Sequence, residues 1–286
     1  MQSVIHAYFD QATNTVSYLV GDPAARVAAI IDPVLDFDRK SGRTATSAAD
    51  QILKRARELD WRIVWILETH AHADHLSAGN YLRQATGAPI AIGARITEVQ
   101  STFQAIFAMA DLVPDGSAFD RLLADSDRLA LGALEIEIMH TPGHTPACVS
   151  YRIGDDVFVG DTLFMPDSGS ARCDFPGGSA RTLFRSIRRL LSLPAETRLW
   201  LCHDYKAPGR DDFAWQTTVA AERAANTHVR DGITEDAFVA LREARDVKLE
   251  VPALLLPSIQ VNVRAGAFPP PESNGISYLK LPLNRF

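Results

Sequence analysis

The sequence predicts an α/β fold in which sheets are layered against helices, and three observations carry that prediction. Short β-branched or apolar runs alternate with amphipathic stretches, as in Ala28–Asp32, then the helical face Ile52, Leu53, Ala56 and Leu59, then Arg62–Leu67. The chain has 286 residues, 47% hydrophobic and 22% charged, enough to bury a core in one large domain or in one domain with an extension. No period of about 20–50 residues recurs, which sets aside solenoids and propellers.

Taken in order, the elements read as follows. Thr46 or Ser47 can cap a helix over Ala48–Leu59, and Leu76–Thr86 follows the strand at Arg62–Leu67. Leu134–Met139 alternates as a half-buried strand, and Cys148–Ile153 turns at Gly154-Asp155-Asp156 into Val157–Val159 as a hairpin. Ser179 can cap a helix over Ala180–Leu191, which Pro194 stops. Beyond His203 the stretches Phe213–Asn226 and Thr234–Arg245 are helical, the second capped by Thr234. Val251–Leu256, Pro269-Pro270-Pro271 and Ile276–Leu283 read as irregular structure and strand.

Charge and cysteine usage narrow the function. Lys and Arg total 29 against 35 Asp and Glu, a net charge of −6 with no long basic block, so neither nucleic acid nor a membrane surface is an expected partner. No apolar run approaches the roughly 18 residues of a membrane span, and the N-terminus lacks the features of a secretion signal, so a cytoplasmic protein is expected. Three cysteines without a Cys-x-x-Cys pair imply neither a disulfide framework nor a thiolate zinc site. Cys148 and Cys202 sit in apolar runs as core residues. Cys173, between Arg172 and Asp174, is either a plain structural cysteine or, if the guanidinium favours its thiolate, a redox thiol.

Histidines and aspartates follow four apolar runs. Ile63–Leu67 delivers Glu68-Thr69-His70-Ala71-His72-Ala73-Asp74-His75, and Leu134–Met139 delivers His140-Thr141-Pro142-Gly143-His144. The hairpin delivers Gly160-Asp161, and Leu199–Cys202 delivers His203-Asp204-Tyr205. Strand ends lie at the sheet rim, where loops converge, so four such ends suggest one shared pocket. His70 and His72 are two apart and project to the same side of an extended segment. Gly143 and Gly160, each just before a candidate ligand, permit backbone conformations that aim the following side chain. Spacing alone offers His70, His72, His144 and Asp161 to one metal and Asp74, His75 and His203 to another. Imidazole and carboxylate without thiolate suit zinc or non-haem iron. His6, His140 and His228 fall outside this pattern.

His-x-His-x-Asp-His after a strand, with His144, Asp161 and His203 later, resembles the metallo-β-lactamase superfamily over about residues 1–230. The resemblance implies an αββα sandwich with the metal at one edge, a catalytic domain over 1–230, and a C-terminal extension over 231–286 packed on it. Thr141–Val149, Gly160–Phe164, Ala171–Phe175 and His203-Asp204-Tyr205 are similar to persulfide dioxygenases. That family oxidises glutathione persulfide with O2 to sulfite and glutathione at one ferrous iron per chain. It implies His70, His144 and Asp161 as ligands, with His72, Asp74, His75 and His203 orienting ligands and water. The alternative is hydroxyacylglutathione hydrolase, a thioesterase with two zinc ions, for which the full two-metal set is present. The tail and the Arg172-x-Asp174-Phe175 string favour the dioxygenase. Glutathione carries two carboxylates, so Arg172 is expected either to bind one or to form a structural ion pair. Tyr205 is expected to hydrogen-bond a metal-bound ligand or to pack at the rim, and Lys206 and Arg210 to contact substrate or to be solvated. Phe103–Leu112 and the Pro-rich tail are candidates for a homodimer interface, for core or for surface loop.

Overall fold

Period-two alternation decides the layers. In Val27–Ile31, Val27, Ala29 and Ile31 enter one apolar cluster and Ala28 and Ile30 another, so the strand is buried on both faces. The computed structural model describes residues 2–285; Met1 and Phe286, the outer ends of the two expected segments, lie outside it.

The N-terminal half runs β1 (Val4–Asp10), β2 (Thr15–Asp22), β3 (Val27–Ile31), β4 (Val34–Asp38), β5 (Arg43–Ala45), α1 (Ser47–Glu58), β6 (Arg62–Leu67), β7 (Leu76–Ser77), α2 (Gly79–Thr86), β8 (Ile90–Gly93), α3 (Ile96–Phe107) and β9 (Arg121–Leu123). There follow β10 (Arg128–Leu131), β11 (Leu134–His140), β12 (Val149–Ile153), β13 (Asp156–Phe158), α4 (Ala180–Leu190), β14 (Arg198–Trp200), β15 (Gln216–Thr218), α5 (Val219–Ala225), α6 (Glu235–Asp246) and α7 (Leu255–Asn262).

One sheet has the order β1-β2-β3-β6-β8-β9, antiparallel at β1-β2-β3 and parallel from β3 onward. The other runs β10 to β15 in order, with a parallel β13–β14 pair, and β5-β4-β7 form a small third sheet. Between the two large sheets, Val16, Tyr18, Val20 and Ile31 meet Ile136, Ile138, Tyr151 and Phe158. Ile52, Leu82, Phe103 and Ile259 cover the first sheet's outer face from α1, α2, α3 and α7. Leu183, Ile187, Leu190 and Phe238 cover the second from α4 and α6. The molecule is the expected αββα sandwich, and each buried Ile, Leu or Phe contributes about 1.5–3 kcal/mol. Near one edge the sheets touch directly: Val16 N donates to the Cys202 carbonyl at 2.7 Å, and Thr15 makes an isolated β-bridge to His203.

Local signals explain most boundaries. Ser179, Thr218 and Thr234 cap α4, α5 and α6 by accepting from the third amide along. Thr46 precedes α1 without capping it, because its hydroxyl donates to Asp50 at 2.8 Å. The expected helix over Phe213–Asn226 begins only at Val219, since Gln216–Thr218 pairs with β14 as an edge strand.

The tail also departs from expectation. Val251–Leu256 leads into α7, whose Leu255, Ile259 and Val261 are buried together with Ser258, Gln260 and Asn262; a helix buried nearly all round has no amphipathic stripe to read. Ile276–Leu283 forms no strand. Its backbone is held by a side chain instead: Lys280 N donates to Gln260 Oε1 and Gln260 Nε2 donates to Lys280 O, both at 2.9 Å. Phe103, Phe107, Met109 and Leu112 are core residues of this chain, the core alternative among the expectations for Phe103–Leu112. No helix among the described residues is long and apolar enough to cross a membrane.

Candidate metal centre

All four residue-bearing strand ends meet at the edge where the sheets touch. The first sheet sends Glu68–His75 from the end of β6. The second sends His144 after β11, Asp161 after β13 and His203 after β14. Two glycines make the approach possible. Gly160 has φ +52° and packs so closely on Thr69 that a Cβ would lie 2.6 Å from its hydroxyl, while Gly143, at φ +136°, would place one 2.3 Å from the Leu183 backbone.

His70, His144 and Asp161 converge, their ligand atoms all within 4.8 Å of one another. Nε2 of His70 and of His144 lie 3.9 and 3.7 Å from the same oxygen, Asp161 Oδ2. Each ring is fixed from behind. His144 Nδ1 donates to the Arg172 carbonyl at 2.8 Å. The Thr69 hydroxyl donates to Asp32 Oδ2 at 2.9 Å, which leaves its lone pair to accept from His70 Nδ1 at 3.0 Å. Both rings therefore keep an unprotonated Nε2 toward Asp161. Burial, with His72 and His144 nearby, holds His70 well below its ordinary pKa, in the neutral form that a ligand needs.

The remaining motif residues are joined to other partners. His72 Nε2 donates to Asp32 Oδ1 at 3.0 Å and lies 3.5 Å from Glu68. Despite burial, Asp32 and Glu68 hold His72 well above its usual value. Spacing grouped His72 with His70, His144 and Asp161; its ring does stand 4.0 Å from that of His70, and its ligand atoms also fall into groups with Asp32 and Glu68, with Asp74 and His75, and with Cys202 and His203. Asp74 Oδ2 lies 3.4 Å from His75 Nδ1 and 3.2 Å from His203 Nε2, and the rings of His75 and His203 stand 6.5 Å apart.

The donor set fits a cation. His70 Nε2, His75 Nε2, His203 Nε2 and Asp161 Oδ1 are buried without a hydrogen bond, the approaches of His203 Nε2 to Asp74 and Asp161 being misaligned for one. Unpaired buried lone pairs are costly unless something binds them.

Several expectations about the rim resolve differently. The Arg172 guanidinium closes on Asp174 through bonds of 2.5 and 2.6 Å and on the Glu250 carbonyl at 2.7 Å. That is the geometry of an ion pair, while the Arg172 backbone carbonyl is the acceptor for His144 Nδ1. Arg210 is likewise spent on Asp204 and Asp167. Lys206 is exposed, with Nζ 4.3 Å from the Phe213 ring centroid. Tyr205 stacks on His203 with centroids 5.7 Å apart and is 52% exposed. Cys173 is not a thiolate: burial and the Asp246 carboxylate push its thiol up to about 12, while the Arg172 charge is turned to Asp174. Cys148 and Cys202 are buried as expected, and His140 and His228 bond to the Pro146 carbonyl and to Ser170.

Asp32 and Thr15 are among the site residues that escaped the sequence reading. Asp32 underlies both His70 and His72, and it ends an apolar run just as the other four strand ends do, a signal that was available. The Thr15 hydroxyl lies within 3.4 Å of Asp74, His75 and His203, with no local signature to mark it.

An αββα sandwich with a His/Asp cluster at the shared edge defines a metal-binding class of protein. The chain belongs to the metallo-β-lactamase superfamily, whose family model matches residues 11–203. It is 55% identical to a probable metallo-hydrolase of Burkholderia pseudomallei, over 98% of this chain and 99% of the relative. It is 51% identical to a beta-lactamase hydrolase-like protein of Xylella fastidiosa, matched over 98% of this chain, and spans 64% of that longer protein. A protein named glyoxylase B2 in Dictyostelium discoideum is 47% identical over 98% of this chain and 97% of its own, and the human mitochondrial persulfide dioxygenase ETHE1 is 28% identical over 93% and 90%. Among solved structures, ETHE1 from Myxococcus xanthus superimposes with a TM-score of 0.74 at 31% identity, covering 92% of this chain and all of that one.

Proposed function

We propose that this protein is a persulfide dioxygenase that converts glutathione persulfide, O2 and water to glutathione and sulfite at one ferrous iron held by His70, His144 and Asp161. The observation that carries the reading is the arrangement of those three residues. Both imidazoles bring Nε2 toward one oxygen of Asp161, and the three ligand atoms lie within 4.8 Å of one another, with Asp74, His75 and His203 gathered beside them around Thr15. The ETHE1 likeness supports the same reading.

Bound there, ferrous iron supplies a site at which a soft sulfur anion and O2 meet and exchange electrons. The chain's own residues do the rest. Thr69 and the Arg172 carbonyl hold both imidazoles in the tautomer with Nε2 free. His203 Nε2 stands 3.3 Å from Asp161 Oδ1, and its ring is held from behind by Nδ1, which donates to the Asn14 carbonyl at 3.1 Å. Tyr205, on the open side of His203, and Lys206 offer a phenol and a cation to the substrate's polar groups.

A two-zinc glutathione thioesterase is the second reading, favoured by the orphaned Nε2 atoms of His75 and His203 and by the 47% identical relative. Oxygen-electrode and thioester assays on one preparation, with metal analysis, separate the two. The dioxygenase takes up O2 only with glutathione persulfide, forms sulfite and carries one iron per chain, which His70→Ala removes. Fast lactoylglutathione cleavage without O2 uptake, at two zinc ions per chain, would refute it.

A further inference from the structure

One side chain ties the C-terminal helix to the loop that carries the histidines. Asn262, in the last turn of α7 and 4% exposed, makes two hydrogen bonds to the loop backbone and one to the adjoining β7. Its Nδ2 donates to the carbonyls of His72 at 2.8 Å and His75 at 2.7 Å, and its Oδ1 accepts from Ser77 N at 2.8 Å. The amide orientation is fixed by its partners, since two carbonyls face the donor and one N–H faces the acceptor. Residues 68–75 belong to no helix or strand, so no ladder of their own fixes these carbonyls. The helix end is itself held firmly. Gln100 Nε2 donates to the Val263 carbonyl at 2.9 Å, and Gly266, at φ +82°, comes so close to β7 that a Cβ would lie 2.7 Å from the Ser77 carbonyl.

We propose that Asn262 is a positioning residue for the metal centre. By gripping the backbone on both sides of Ala73 and Asp74 it sets the spacing of His70, His72, Asp74 and His75, and so how tightly the loop retains a metal. The inference rests on the loop binding metal, and it holds whichever metal and reaction are found. Asn262 lies beyond residues 11–203, the part of the chain matched by the family model.

Metal-loaded protein challenged with excess chelator tests it. Asn262→Asp keeps the size of the side chain and the acceptor for Ser77 but turns an oxygen toward two carbonyls. Asn262→Ala removes all three bonds and carries the test alone if the aspartate variant does not fold. Both should release metal at least about tenfold faster than wild type. Ile259→Ala opens a cavity in the buried face of the same helix without touching the loop; it should lower the melting temperature and leave the release rate unchanged. Wild-type release from Asn262→Ala, or equal acceleration by Ile259→Ala, overturns the proposal. A His70→Ala protein that keeps its metal would instead refute the ligand set and leave this comparison standing.

Discussion

Changing Asp32 to Asn tests whether hydrogen-bond direction, rather than shape, prepares the metal site. Asp32 has φ +48°, a conformation that Asn tolerates at least as well, so the perturbation is electronic. In the native chain one carboxylate oxygen takes Thr69 N at 2.7 Å and His72 Nε2 at 3.0 Å, and the other takes the Thr69 hydroxyl at 2.9 Å. In the variant the amide oxygen keeps the two N–H donors and the NH2 group faces the hydroxyl. That hydroxyl must now accept, and its hydrogen swings toward His70 Nδ1, 3.0 Å away. The imidazole proton moves to Nε2, the atom that faces Asp161, where any metal must displace it. His72 loses its anionic partner in the same step. Partners of this kind are worth about ten- to a hundredfold in metal affinity, or about 1.4–2.7 kcal/mol. Chelator-competition titration reads the affinity, and a thermal melt shows that the fold is kept. Thr69→Val, which cuts the relay without changing charge, should weaken binding similarly. A folded Asp32→Asn protein that binds metal within about twofold of wild type would refute this account of the histidine tautomers.

Two further outcomes are expected. Arg172→Ala should lower stability by about 1–2 kcal/mol after allowance for the partial exposure of Asp174, and leave KM for a glutathione substrate unchanged; a raised KM with an unchanged melting temperature would restore Arg172 as a substrate contact. Burial pushes Glu222 up to about 8, so its protonated form favours the folded state below the ordinary value of 4.5, and that contribution is lost as pH rises toward 8. Glu222→Gln, which keeps a neutral group beside Asn226, should flatten the fall in melting temperature across that window, and an unchanged pH profile would show that Glu222 does not titrate there.

The layers and four of the contributing strand ends were legible because period-two burial and His/Asp placement are local signals. Val27–Ile31 or Leu134–Met139 can be read without knowing what either packs against. What escaped depends on partners far along the chain. The weight of Asp32 appears only when Thr69 and His72 fold onto it, and that of Asn262 only when α7 meets the loop. Arg172 shows the opposite difficulty. Its partner Asp174 is two residues away, yet a charge at a rim suits a ligand and an ion pair equally well until the geometry is known. The helix α7 was lost because burial on nearly every side erases the periodicity by which helices are recognised.

The direct contact of the two sheets through Val16, Cys202, Thr15 and His203 has a thermodynamic corollary. The cluster straddles this seam, with His70 from one sheet and His144 and Asp161 from the other, so a cation bound there cross-links the halves of the sandwich and binds the folded chain alone. By linkage, free metal at a thousandfold over its dissociation constant adds about 4 kcal/mol to the folding free energy. Removing the metal would take the same amount away from the folding free energy.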